Sequence, residues 1–239
     1  MTSMATTRRL FLGAAGSLSG YATYKSKFDP PHLVWDLDNT ILCSMLLSPS
    51  SSNDNNSNNG DDWFDQIDDD FPFTPDTPNT RTYWRPGARM ALKFCSLFGK
   101  QHVYTTAQKT YTDNILAHLD PHRTLFEKII YREKAPESVK QGKDLLHLTD
   151  RLDRVVLFDD RTKNFTPQAG KNGVHVLSYE RIREKVGDKT ANGNWRELQE
   201  ISRLVGISVL ALLVSDVRQV LYYFRSEEHE QRFPRKDSE

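Results

Sequence analysis

The sequence predicts a single α/β domain in which a mostly parallel sheet is flanked by helices. Short apolar runs of strand length alternate along the chain with stretches whose apolar residues recur at helical spacing. Two of these runs, at residues 33–35 and 155–158, end directly in aspartates. The 239 residues are enough for one complete hydrophobic core with additional segments.

The composition excludes several classes of protein. The 32 Lys and Arg residues balance the 32 Asp and Glu residues, so the overall charge gives no reason to expect nucleic acid as a ligand. Cys43 and Cys95 are too few for a four-ligand zinc site or a disulfide-rich fold. We expect them to be reduced thiols in or near the core.

Residues 1–28 have the composition of an organelle transit peptide. They are rich in Ser and Thr, include the pair Arg8 and Arg9, and contain no acidic residue. The weakly apolar stretch that starts at residue 10 is shorter than the roughly 20 residues that a membrane-spanning helix needs. Membrane association through this segment therefore stays open. A disordered extension and a twin-arginine export signal are the alternatives.

The first predicted strand ends in Asp36 and Asp38. Side chains alternate along an extended chain, so both carboxylates lie on one side of the strand end and Leu37 lies on the other. Like charges this close repel each other unless a cation or a shared proton lies between them. This arrangement can bind Mg²⁺ and carry out phosphoryl chemistry.

A low-complexity insert follows the first strand. Residues 48–62 are dominated by Ser, Asn, Asp and Gly, which predicts a flexible loop. Residues 61–80 add aspartates and prolines around four aromatic residues. We place the insert at about 48–80, either as a mobile flap near the site or as an insertion without a chemical role.

The rest of the chain alternates between helices and strands. In order, we predict a helix that starts at Pro86 and ends at Gly99, a strand at 102–105, a helix at about 110–118, and strands at 127–131, 155–158 and 174–177. An amphipathic run from Trp195 ends at Gly206, and a second helix covers Ile207 to Phe224. The predicted domain is 29–225, followed by a charged tail at 226–239.

Several polar residues lie at the ends of predicted strands. Asp36, Thr105, Asp159 and Asp160 each occur at or just after the carboxyl end of a strand. Ligands of parallel sheets bind at that edge. We therefore expect these dispersed residues to converge on one site.

Seven short motifs occur in a fixed order across residues 31–222: DLDNT at 36–40, WRPG at 84–87, YTTA at 104–107, YRE at 131–133, GKDL at 142–145, FDD at 158–160 and DVR at 216–218. This ordered set resembles the FCP1-homology domain of the haloacid dehalogenase superfamily. That group includes the small RNA polymerase II C-terminal-domain phosphatases, the Dullard-type phosphatases and the Tim50 subunit of the mitochondrial inner-membrane translocase.

The resemblance implies roles for the aspartates. Asp36 would attack phosphorus and become an aspartyl-phosphate, while Asp38 would protonate the leaving hydroxyl and then activate water. Asp36, the main-chain carbonyl of Asp38 and Asp160 would hold Mg²⁺, with Asp159 supporting the metal shell. Hard oxygen ligands suit that ion.

The resemblance also implies residues that contact the substrate. Thr105 and Lys143 would hold the phosphoryl oxygens, and Tyr111 and Arg132 would face the phosphopeptide. Taken alone, each has another interpretation. Thr106 could take the role of Thr105, and Thr105 could instead cap the next helix. Lys143 could be a surface lysine, and Tyr111 could be an ordinary core residue. Arg132 could form an ion pair with a neighbouring carboxylate.

The chain departs from the family pattern at three places. The insert lengthens the loop between the first motif and Thr105, Ala107 replaces a serine, and Arg161 follows the aspartate pair where a small residue is usual. The substrate surface is therefore expected to differ from that of the small phosphatases.

Two functions follow from the resemblance. The first is a Mg²⁺-dependent protein serine/threonine phosphatase that acts on a phosphoprotein or phosphopeptide. The second is a Tim50-like subunit of the TIM23 translocase that binds presequences during import. Retention of Asp36 favours the enzyme, since a receptor has no chemical need for a nucleophile. Residues 1–28 predict a mitochondrial location, at the inner membrane in the second case; another organelle or a soluble cytoplasmic or nuclear location is the alternative.

Overall fold

The computed structural model describes residues 20–46, 80–167, 169–179, 191–227 and 231. Its strands are β1 (His32–Trp35), β2 (Leu42–Leu46), β3 (Thr80–Trp84), β4 (Lys100–Tyr104), β5 (Lys128–Ile130), β6 (Val155–Asp159) and β7 (Gly173–His175). Five of them form a sheet with the order β5-β4-β1-β6-β7, and every neighbouring pair is parallel. The predicted α/β class with a mostly parallel sheet flanked by helices is confirmed.

The two central strands are apolar on both faces. Leu33 and Trp35 of β1 pack in one buried cluster, whereas Val34 belongs to the cluster on the opposite face. The rings of Trp35 and Phe158 stack with their centroids 4.4 Å apart. Continuous apolar runs of this kind are typical of parallel strands that are covered on both sides.

The described helices are residues 20–28, Ala88–Cys95, Lys109–Leu119, Ser138–Gln141, Ala191–Leu213 and Val217–Leu221. Short 3-10 turns occur at Leu145–His147, Leu152–Arg154, Thr162–Asn164, Ala169–Lys171 and Tyr222–Phe224. The predicted strands of the sheet and the helix at 110–118 agree with the structure to within two residues at each end.

The helix predicted from Pro86 to Gly99 is shorter in the structure. Pro86 and Gly87 form a turn, the helix covers Ala88–Cys95, and Leu97 is 75% exposed. Gly87 has a φ of 81°, and a Cβ there would lie 3.2 Å from Leu198 of the C-terminal helix. Both the left-handed backbone and the close helix approach therefore require glycine at this turn.

A second, two-stranded sheet was not predicted. Strands β2 and β3 form an antiparallel pair with Leu42 opposite Trp84 and Cys43 opposite Tyr83. A short turn between two strands is the usual sequence signal of a hairpin. The segment that joins β2 and β3 is the long predicted insert, so this signal is missing from the sequence.

The C-terminal helices were predicted wrongly at three points. The helix expected over Ile207 to Phe224 is interrupted, because one helix ends at Leu213 and the next begins at Val217. The other two points concern the longer helix. It runs without a break from Ala191 to Leu213, so Gly206 lies in its interior instead of ending it. Leu204 and Ile207 on either side of Gly206 are buried in the core, and their burial outweighs the roughly 1 kcal/mol that a helical glycine costs. Trp195, expected on the apolar face, is 63% exposed.

Most of the predicted targeting segment, the insert and the charged tail lies outside the described residues, so those predictions stay open. Among the residues described, no helix combines the length and apolarity needed to cross a membrane. Cys43 and Cys95 are both buried and reduced, as expected.

Candidate active site

The expected convergence at the carboxyl edge of the sheet is present. Asp36 and Asp38 follow β1, Thr105 follows β4, and β6 ends in Asp159. A cavity of about 230 Å³ opens there, and it is lined by Asp36, Asp38, Thr105, Thr106, Ala107, Arg132, Arg161 and Asn164. Because three separate strands deliver these groups, the sheet itself fixes their relative positions.

A buried lysine lies between two of the aspartates. Lys143 Nζ donates to Asp36 Oδ1 at 2.5 Å and to Asp159 Oδ2 at 2.6 Å, and the lysine side chain has no exposed surface. The surface-lysine interpretation of Lys143 is therefore wrong. Burial lowers the pKa of Lys143, but the carboxylates of Asp159 and Asp36 outweigh it and hold the pKa above its ordinary value, so the ammonium stays charged.

The backbone before Lys143 is also specialised. Gly142 has a φ of 90°, and a Cβ there would lie 2.8 Å from the carbonyl oxygen of Asn164. The main-chain N–H of Lys143 donates to that same carbonyl at 2.6 Å. Gly142 therefore lets this loop approach the Asn164 backbone closely enough to place the lysine inside the site.

Three carboxylates form a compact acidic cluster. One oxygen each from Asp36, Asp159 and Asp160 lies within 4.8 Å of the others. Burial raises the pKa of Asp36 well above its ordinary value, with Lys143 opposing and Asp159 reinforcing the shift. Burial and Asp159 raise the pKa of Asp160 to about 6. Such a cluster is stabilised by a cation.

The cluster fits the divalent cation that the sequence implied. Oδ1 of Asp160 is buried and accepts no hydrogen bond from the described part of the chain. A buried carboxylate oxygen without a donor is costly, and a hard cation would satisfy it. Asp36, Asp159 and Asp160 are therefore the residues that could hold Mg²⁺. The expected contribution of the Asp38 main-chain carbonyl stays a prediction.

Asp159 is held by a residue that the sequence reasoning missed. Asn164 Nδ2 donates to Asp159 Oδ1 at 2.8 Å, and the main-chain N–H of Arg161 donates to the same oxygen at 2.8 Å. Asn164 lies in a 3-10 turn just after β6 and also lines the cavity. The only feature of the sequence that could have indicated this role is that Asn164 follows the aspartate pair closely.

Asp38 lies apart from the acidic cluster, against Tyr111. Tyr111 Oη donates to Asp38 Oδ1 at 2.5 Å and lies 2.9 Å from Ser44 Oγ. Burial raises the pKa of Asp38, and the hydrogen bond from Tyr111 opposes the rise. Asn39 has a φ of 61°, and this turn brings the chain back to β2, which carries Ser44. Sequence reasoning missed Ser44.

The predicted contact of Tyr111 with the phosphopeptide stays a prediction. In the structure its hydroxyl contacts Asp38, and its side chain is not among those that line the cavity. A hydroxyl that donates to Asp38 can orient that carboxylate and adjust its pKa.

Thr105 and Arg132 both line the cavity, and their contacts with the substrate stay predictions. The N–H of Ala107 donates to Thr105 Oγ1 at 3.1 Å, so the Thr105 hydroxyl hydrogen can donate elsewhere. Arg132 Nε donates to the carbonyl of Thr106 at 2.8 Å, which pins the arginine to the loop after β4. Thr106 lines the same cavity, so it stays an alternative to Thr105 as the residue that holds the phosphoryl oxygens.

A fully buried arginine supports the loop that carries Asp38. Arg85 Nε donates to Glu197 Oε2 at 2.7 Å, and its other nitrogens donate to the carbonyls of Thr40, at 2.7 Å, and Leu177. Arg85 belongs to the WRPG motif, for which no role was predicted. It connects the first motif to the C-terminal helix.

The chain was compared with known protein families and with solved structures. A model of the family described as NLI interacting factor-like phosphatases matches residues 31–218. The fold is similar to a solved structure of Fcp1, described as an essential RNA polymerase II CTD phosphatase, with a TM-score of 0.48 and 20% identity over 91% of this chain. It is also similar to a fission yeast Fcp1 variant bound to beryllium fluoride, with a TM-score of 0.46 and 20% identity over 93% of this chain. The chain spans 58% and 64% of the lengths of those two chains.

Proposed function

Because the chain belongs to the NLI interacting factor-like phosphatase family, we propose that it is a Mg²⁺-dependent protein serine/threonine phosphatase that acts through Asp36. The observation that carries the proposal is the buried contact of Lys143 with Asp36 and Asp159 beside a cavity that Asp38 also lines. Charge stabilisation by such groups is the main catalytic contribution in phosphoryl transfer.

The residues divide the reaction into two steps. An oxygen of Asp36 attacks phosphorus, the bond to the serine or threonine oxygen breaks, and Asp38 gives its proton to that oxygen. Asp38 then accepts a proton from water, which attacks the aspartyl-phosphate and releases inorganic phosphate and Asp36. The raised pKa of Asp38 suits the first step, since a protonated carboxyl is needed there.

Lys143 and Thr105 support both steps. The Lys143 ammonium lies against Asp36 and can stabilise negative charge on the phosphoryl oxygens, and the Thr105 hydroxyl can donate to one of them. When bound, Mg²⁺ supplies further positive charge to the carboxylate cluster and to the phosphoryl group. Asn164 keeps Asp159 oriented.

Turnover by the full chain tests the proposal. Hydrolysis of para-nitrophenyl phosphate and of a phosphoserine peptide would be measured in Mg²⁺ and in EDTA, beside Asp36→Asn. Loss of the nucleophile should lower kcat by orders of magnitude. Asp113→Asn, a surface control that pairs with Lys109, should stay within about threefold of the parent chain. Absence of Mg²⁺-dependent turnover in folded protein would refute the proposal.

The Tim50-like alternative predicts the same fold, so the turnover experiment decides between the two. A receptor for presequences has no chemical need for a lysine buried between two aspartates. Binding of a presequence peptide without any phosphatase activity would favour the receptor.

We also propose a mitochondrial location, which the basic and acid-free composition of residues 1–28 supports. Import of the radiolabelled chain into isolated mitochondria, followed by protease treatment, tests it. Replacing Arg8 and Arg9 with glutamate should abolish the protected product. Equal protection of both chains would contradict the proposal.

A further inference from the structure

Two arginines reach the cavity from opposite sides of the nucleophile. Arg132 follows β5 and Arg161 follows β6, and both line the cavity that contains Asp36. In the sheet, β4 and β1 lie between β5 and β6. Neighbouring strands are about 4.8 Å apart, so the two arginines come from strands separated by roughly 14 Å. Asp36, at the end of β1, lies between them.

Both guanidinium groups have hydrogen-bond donors to spare. Arg132 uses Nε for the carbonyl of Thr106, and its terminal nitrogens have no hydrogen-bond partner in the parts of the chain that the structure describes. Arg161 Nε lies 3.9 Å from Asp160 Oδ2, beyond hydrogen-bond distance, and its side chain is 52% exposed. An arginine has five N–H donors in a planar fork, which suits bidentate binding of carboxylates and phosphates.

These arginines differ from the groups proposed to hold the reacting phosphoryl group. Lys143 and Thr105 are buried, with 0% and 1% of their surfaces exposed, whereas Arg132 and Arg161 are exposed at the cavity mouth. The two exposed cations are therefore available for anionic groups elsewhere on the substrate.

We propose that Arg132 and Arg161 select phosphoprotein segments that carry a second anionic group near the phosphorylated residue. The recognised group is a carboxylate of Asp or Glu or a second phosphate, since both offer the oxygen pairs that a guanidinium binds. This inference rests on the proposed phosphatase function and defines its substrate class.

The competing interpretation is that the arginines bind the reacting phosphoryl group itself. In that case their removal would slow every phosphate ester equally. If they bind a second group, their removal changes the ratio between substrates. The ratio is measured within one variant, so any loss common to all substrates cancels.

The experiment uses the full chain and three phosphoserine peptides of equal length, whose neighbouring positions carry Gln, Glu or a second phosphoserine. The kcat/KM of each anionic peptide is divided by that of the Gln peptide for the parent chain, Arg132→Gln, Arg161→Gln and the control Lys140→Gln, an exposed lysine that does not line the cavity. We expect a ratio on the order of ten for the parent and the control, and a fall toward one in both arginine variants.

The two arms distinguish the source of the anion. A preference for the Glu peptide identifies carboxylates, and a preference for the doubly phosphorylated peptide alone identifies a second phosphate; either supports the proposal. A ratio near one in the parent chain, or the parent's ratio retained in both arginine variants, would overturn it. If para-nitrophenyl phosphate is also not hydrolysed, the phosphatase function fails together with the inference; if it is hydrolysed, only the inference fails.

Discussion

Lys143→Met is expected to destabilise the protein strongly when no divalent cation is present. The lysine has no exposed surface and lies 2.5 Å from Asp36 and 2.6 Å from Asp159. Methionine keeps much of the side-chain volume but removes the charge, so the acidic cluster loses the buried cation that bridges Asp36 and Asp159. Breaking a buried ion pair from one side costs about 3–5 kcal/mol. In a chain of this size that corresponds to a fall in Tm on the order of 10 °C.

Thermal unfolding by circular dichroism at pH 8 measures the effect. The alkaline pH matters because burial raises the pKa of Asp36 and of Asp160, and protonation of either would relieve the repulsion. Mg²⁺ should raise the Tm of Lys143→Met more than that of the parent chain, since the cation replaces part of the missing charge.

Lys140→Met provides the matched control. Lys140 is exposed and lies three residues before Lys143, so its free energy of unfolding should change by less than about 0.5 kcal/mol. If Lys143→Met unfolded within about 1 kcal/mol of the parent chain in EDTA, the account of Lys143 as the cation that stabilises the cluster would be refuted.

Three further predictions concern residues around the site and the sheet. Tyr111→Phe removes a hydrogen bond that lowers the pKa of Asp38, so the pKa of Asp38 should rise. The alkaline limb of the pH profile of kcat/KM for a phosphoserine peptide should then move to higher pH, and an unchanged profile would contradict this. Arg85→Met leaves Glu197 buried without its cation and should cost about 3–5 kcal/mol in urea unfolding, partly recovered by adding Glu197→Gln; no recovery would count against the pairing. Burial lowers the pKa of His102 to about 3, so the folded state keeps it neutral and the unfolded state takes up a proton below about pH 6.5. Stability therefore falls as pH decreases, and between pH 6.5 and 5 His102→Gln should lose about 1–2 kcal/mol less than the parent chain; equal losses would contradict the assignment.

The parts of the site that could be predicted from sequence are those encoded locally. An apolar run followed at once by a carboxylate or hydroxyl identifies a strand end, and parallel strand ends meet at one edge. Asp36, Thr105 and Asp159 were predicted to converge on this basis. In the structure Asp36 and Thr105 line one cavity, and Asp159 is buried behind it, joined to Asp36 through Lys143.

Other parts depend on contacts between distant segments and could not be read from local pattern. Arg85 pairs with Glu197, 112 residues away, and nothing near either residue indicates the other. Ser44 reaches Tyr111 only because β2 pairs with β3 across the insert. Gly206 was taken as a helix end because glycine often is one, but packing of the flanking residues decides its conformation.

Detection of a phosphate group on Asp36 is the decisive experiment for the proposed chemistry. Asp38→Asn should still react with para-nitrophenyl phosphate, whose leaving group needs little protonation, but should hydrolyse the intermediate slowly because the base for water is missing. Rapid acid quench and mass spectrometry of the peptide that contains residues 33–40 would locate the phosphate. We predict an acyl-phosphate on Asp36 that is absent in Asp36→Asn. Phosphate on another residue, or release of para-nitrophenol by the parent chain with no phosphorylated protein in either chain, would contradict the account.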